Sequence, residues 1–134
     1  MRTRLLLALV SLFLASPAAS QDMEDAPRNL EFVGFQQFRE VSRVFVRTNE
    51  PARYRVSQRD GVVSITLDNT GSQTMNNLRH LDTHLFDGPV AMIQPRVIEG
   101  ASNSNIQIDI YVRQTVNVKQ AQKDNVITLD FPRN

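Results

Sequence analysis

The chain has 134 residues, 41% of them hydrophobic and 22% charged, with a formal net charge of +1 and no cysteine. That suffices for one domain around a single core and is too little for two. Without thiols there are no disulfides, thiolate metal sites or cysteine nucleophiles, and the near-neutral charge removes a bulk-charge argument for nucleic acid.

Met1-Arg2-Thr3-Arg4 is a short basic start, and Leu5 to Ala15 is an apolar run broken only by Ser11. Ser16-Pro17-Ala18-Ala19-Ser20 is small and helix-breaking. This order is that of a secretory signal peptide, residues 1–20, with cleavage before Gln21. The apolar run spans only about 16 Å as a helix, roughly half a bilayer core. Removal leaves 114 residues with 13 basic and 14 acidic side chains. An exported domain of that size without disulfides suits a bacterial periplasm. No later segment is apolar for long enough to span, so no membrane span is expected after cleavage.

Residues 21–29 are polar and acidic, contain Pro27, and read as a disordered leader. Strands are then predicted by alternation of Val, Ile, Thr and Phe. They cover Leu30 to Phe35, Val41 to Arg47, Arg53 to Gln58 and Val62 to Asp68, with Asp60-Gly61 as a hairpin turn. From Gln73 to Leu85 the alternation stops. Met75, Leu78, Leu81 and Leu85 recur at helical spacing, so a short helix capped by Ser72 is expected. Strands resume over Val90 to Ile98, Ile106 to Val112, Val116 to Gln120 and Val126 to Phe131.

Shifted by 62 residues, the second half falls on the first. Val44 and Val46 land on Ile106 and Ile108, Tyr54 and Val56 on Val116 and Val118, and Ile65-Thr66-Leu67-Asp68 on Ile127-Thr128-Leu129-Asp130. A repeated tetrapeptide in register with a repeated apolar phase implies duplication. The expected fold is therefore all-β: a sandwich of two repeat-related antiparallel units with one short helical insertion, whose apolar faces cover each other.

Ser42-Arg43-Val44, Tyr54-Arg55-Val56 and Ile65-Thr66-Leu67-Asp68-Asn69-Thr70 resemble the first half of an AMIN domain. Ile106-Gln107-Ile108, Val116-Asn117-Val118 and Val126-Ile127-Thr128-Leu129-Asp130 are similar to its second half. The resemblance spans residues 30–132. AMIN domains are periplasmic β-sandwiches of cell-wall amidases and type IV pilus secretins, associated with peptidoglycan binding and localisation. The resemblance thus implies a non-catalytic periplasmic domain that binds or localises to peptidoglycan and the cell envelope. The alternative is a structural adaptor in a pilus, secretion or motility complex, with envelope proteins as partners.

No catalytic constellation, cofactor or metal site is expected. His80 and His84 would share a face of the predicted helix, but without the Glu of the zincin motif they read as a solvated surface. Asp68 and Asp130 close their strands and read as turn residues rather than an acid/base pair. An outer-membrane barrel is disfavoured by the short chain, the missing aromatic girdles and Pro95. The clearest polar feature is basic: six Arg and two Glu between Arg39 and Arg59. Strand parity places Arg43, Arg47, Arg53 and Arg55 outward, so these four are the candidate ligand-binding residues for an anionic wall polymer. Arg43 is also a candidate structural residue, paired with Glu40 or Asp68.

Overall fold

The computed structural model describes residues 26–100 and 103–133. The predicted signal segment and residues 21–25 of the predicted leader lie outside the described residues. Arg28 and Asn29, also assigned to the leader, instead open the first strand, because Thr70 and Gly71 offer them a parallel partner.

Ten strands and one 3-10 turn are described. They are β1 (Arg28–Gln37), β2 (Val41–Thr48), β3 (Tyr54–Arg59), β4 (Val62–Leu67), β5 (Thr70–Gly71), the 3-10 turn (Met75–Leu78), β6 (Leu81–Asp82), β7 (Val90–Glu99), β8 (Ser104–Val112), β9 (Lys119–Lys123) and β10 (Val126–Pro132). Alternation is what makes them strands. In β2, Ser42, Val44, Val46 and Thr48 point inward; in β4, Val63, Ile65 and Leu67 do so. Asp60 and Gly61 both take positive φ, 45° and 83°, the geometry a two-residue hairpin turn requires.

Two five-stranded sheets result, ordered β5-β1-β2-β10-β9 and β3-β4-β8-β7-β6. Their inner faces share one core in which Leu30, Val44, Val46, Ile65, Leu67, Ile106, Ile108, Leu129 and Phe131 are fully buried. The all-β sandwich expected from the sequence is the observed fold. No helix among the described residues is long and apolar enough to cross a membrane.

The duplication is present but interleaved. β1 and β7 stand at the same 62-residue offset as β2 and β8, and as the repeated tetrapeptides of β4 and β10. The ladders repeat as well: Val44 faces Leu129 as Ile106 faces Leu67, and Val33 faces Val46 as Pro95 faces Ile108. Yet β2 pairs with β10 of the second half, and β8 with β4 of the first. Each sheet is a composite of both halves, not one repeat unit packed on the other.

Two expectations are corrected. The helix over Gln73–Leu85 reduces to the 3-10 turn, followed by an edge strand. Leu78 and Leu81 pack against the core, but Met75 and Leu85 are exposed, so only half of the helical stripe has a core to face. Thr74, not Ser72, precedes the turn, and it makes no side-chain cap. The strand expected at Val116–Gln120 begins instead at Lys119, because the tight Asp124-Asn125 turn fixes its register. Gln120 therefore faces Leu129 where Tyr54 faces Leu67. Val116 and Val118 are not the counterparts of Tyr54 and Val56, although they still pack against the core before β9 begins.

Candidate functional site

The outer faces of the two sheets differ in chemistry, and the ladders show why. Across the first sheet run three outward rows: Phe32–Arg47–Val126–Lys123, Gly34–Phe45–Thr128–Ala121 and Gln36–Arg43–Asp130–Lys119. Across the second run Arg59–Val62–Tyr111, Ser57–Ser64–Asp109–Gln94 and Arg55–Thr66–Gln107–Arg96. The first face is cationic and aromatic. The second also carries cations, Arg55, Arg59 and Arg96, set around the Asp109 carboxylate, but among the described residues it has no paired phenylalanines.

The four arginines singled out in the sequence do not form one surface. β2 carries Arg43 and Arg47 on the first sheet, whereas β3 carries Arg55 on the second, with Arg53 just before it. Matching parity proved insufficient, since the chain crosses between sheets at residues 49–53. Arg43 is bidentate to Asp130, at 2.7 and 2.9 Å, and its guanidinium lies 4.9 Å from the Phe38 ring centroid. Its partner is therefore the repeat equivalent of Asp68, not Glu40 or Asp68. Arg47 reaches Glu31 at 3.2 Å and lies 5.8 Å from the Phe32 ring centroid. Asp68 takes Arg55 at 2.7 Å. Both strand-closing aspartates are thus ion-pair acceptors.

Phe32 and Phe45 lie 5.6 Å apart, and their rings cover Gly34. A Cβ at Gly34 would fall 2.5 Å from Phe32 Cε2 and 2.6 Å from Phe45 Cζ. Glycine is what lets the two rings close over the strand at this point. Gly34→Val is expected to displace both rings and cost about 1–3 kcal/mol by overpacking, measurable by urea denaturation. Lys119 and Lys123 complete this face. The sequence reading missed them because β9 lay out of register there.

The second face holds a hollow of about 440 Å³ lined by residues including Ser57, Arg59, Ser64, Thr66, Asp109 and Tyr111. Burial alone would push the Asp109 carboxyl up. Hydrogen bonds from Gln107 Nε2 at 2.9 Å and Ser64 Oγ at 2.7 Å, with Arg96 at 3.5 Å, outweigh that and hold it below the usual carboxylate value. Asp109 stands 62 residues after Arg47, as its repeat counterpart, and no sequence motif marks it as a site.

His80 and His84 share no helix face. His84 Nδ1 lies 2.6 Å from Asp82 Oδ1, a contact that lowers the Asp82 pKa. Among the described residues, no three His, Asp or Glu side chains converge. No family model, curated protein or solved structure matches the chain.

Proposed function

We propose that the protein is a non-catalytic periplasmic domain that binds peptidoglycan through the outer face of its first sheet. The supporting observation is one face carrying Arg43, Arg47, Lys119 and Lys123 beside the Phe32–Phe45 platform. Glu31 and Asp130 offset only part of that charge. Guanidinium and ammonium groups suit the free carboxylates of stem peptides, and flat rings suit the apolar faces of sugars. The resemblance of residues 30–132 to AMIN domains is what directs the reading to the cell wall rather than to another polyanion.

Co-sedimentation with purified sacculi tests it. Arg47→Ser combined with Lys123→Ser is expected to weaken binding without unfolding the domain, since exposed substitutions usually change stability by about 0.5 kcal/mol or less. Arg53→Ser with Arg55→Ser, on the other sheet, should leave binding near wild type. Binding should also fall as salt rises, because exposed charges are screened beyond roughly 8–10 Å near physiological ionic strength. Equal sedimentation of wild type and the Arg47/Lys123 variant would defeat the proposal.

A further inference from the structure

A sheet edge is a row of unpaired backbone donors and acceptors, and proteins ordinarily defend it. Three of the long edges here are defended. β9 carries Lys119 and Lys123, β3 carries Arg55 and Arg59, and β7 carries Pro95. Proline has no N–H to offer an incoming strand. β1 is different. At the repeat position of Pro95 it has Val33, within the uncharged run Phe32-Val33-Gly34-Phe35.

The edge of β1 is also open where it matters. β5 covers only Arg28 and Asn29. The Phe38 N–H donates to Val41 O at 2.8 Å, which fixes the alternation of the β1–β2 ladder. Gln36, Gly34 and Phe32 therefore bond toward β2, and the N–H and C=O groups of Val33 and Phe35 point away from it. Beside them runs a groove of about 410 Å³, lined by Phe32, Val33, Phe35, Arg79, Leu81 and Phe86 among others. Phe35 and Phe86 are in ring contact, 5.2 Å apart. The groove has built ends: Asn77 Nδ2 bonds Leu30 O at 2.9 Å, and Gln37 Nε2 bonds Asp87 O at 2.5 Å.

We infer that this groove binds a short extended peptide of a partner protein, which adds to β1 as a strand at Val33 and Phe35. Main-chain bonds supply affinity, and alternate apolar side chains seat against Phe35, Leu81 and Phe86. Charge complementarity points to an acidic residue in the peptide. Arg79 stands at the groove with no ion pair among the described residues, whereas Asp82 is taken by His84. A second copy is the wrong occupant. Its β1 would arrive flanked by its own 3-10 turn and residues 79–89, a bulk that a short peptide does not bring to the edge. The inference does not rest on wall binding, which uses the outer face of the first sheet; the two sites meet at Phe32.

The test uses a short synthetic peptide of alternating valine and threonine with one central aspartate, and a control with lysine in its place. Fluorescence anisotropy is expected to show binding of the aspartate peptide, weaker binding of the lysine peptide, and slowed amide exchange at Val33 and Phe35. Val33→Pro copies onto β1 what β7 already tolerates at Pro95, so the fold should survive, as circular dichroism would show. It should lower affinity roughly tenfold by removing one donor and crowding the incoming strand. Arg79→Glu should reverse the preference between the two peptides. Failure of the aspartate peptide to bind wild type, or its equal binding to wild type and Val33→Pro, would overturn the inference. So would sedimentation showing a wild-type dimer that Val33→Pro dissociates, since the occupant would then be a second copy.

Discussion

Leu67→Ala and Leu129→Ala are each expected to lose about 2–5 kcal/mol of stability, the cost of lost transfer energy plus a residual cavity. Both leucines are fully buried. They occupy matching places in the interleaved sandwich, Leu67 opposite Ile106 and Leu129 opposite Val44. The two losses should therefore be similar, with Leu67→Ala somewhat the larger because Ile106 brings more side chain to its site than Val44 does. Urea denaturation with a common slope checks this, since a change in midpoint at constant slope reports stability alone. Because each half of the chain supplies strands to both sheets, a defect in either half should unfold the whole domain in one transition. Two separate transitions, one per half, would contradict the composite sheets.

Asp109→Ala is expected to cost about 1–3 kcal/mol near neutral pH, because Ser64 and Gln107 lose their shared acceptor in a part-buried site. Little of that loss should come from Arg96, which is half exposed and 3.5 Å away. The pH dependence follows from the direction of the shift. The folded carboxyl titrates below its unfolded value of 3.8, so its stabilisation is present above that value and is lost as pH falls through the folded one. The gap between wild type and Asp109→Asn should accordingly narrow as pH drops below 3.8. Thermal unfolding followed across that range would show it. A constant gap would mean that the carboxylate charge plays no part.

Acidic and basic partners are distributed by the same topology. Asp130 and Asp68 are equivalent in the repeat, yet one takes Arg43 from a neighbouring strand of the other half and the other takes Arg55 across a hairpin. The pairs satisfy similar carboxylates by different routes. The duplication preserved the apolar face, where every position has the same task, and left the outward faces to diverge. That divergence gives one sheet its aromatic and cationic rows and the other its polar hollow.

The sequence by itself determined the fold class, most strand positions and the duplication, because alternation with period two and the repeated Ile-Thr-Leu-Asp are local, readable patterns. It determined too which side of each strand is apolar, so Val44, Val46, Ile65, Leu67, Ile106, Ile108, Ile127 and Leu129 are buried as their parity requires. Only the tertiary structure decided which sheet each strand joins. Parity states which way a side chain points relative to its own sheet and is silent on the chain crossing from one sheet to the other at residues 49–53. Arg47 and Arg55 were both outward and nevertheless fell on different faces. Register in β9 was likewise beyond local pattern, since a two-residue turn at Asp124-Asn125, rather than the apolar spacing of Val116 and Val118, set the pairing with β10. The open edge at Val33 needed both sources: the repeat identifies Pro95 as its counterpart, and only the folded sheet shows that no strand covers it.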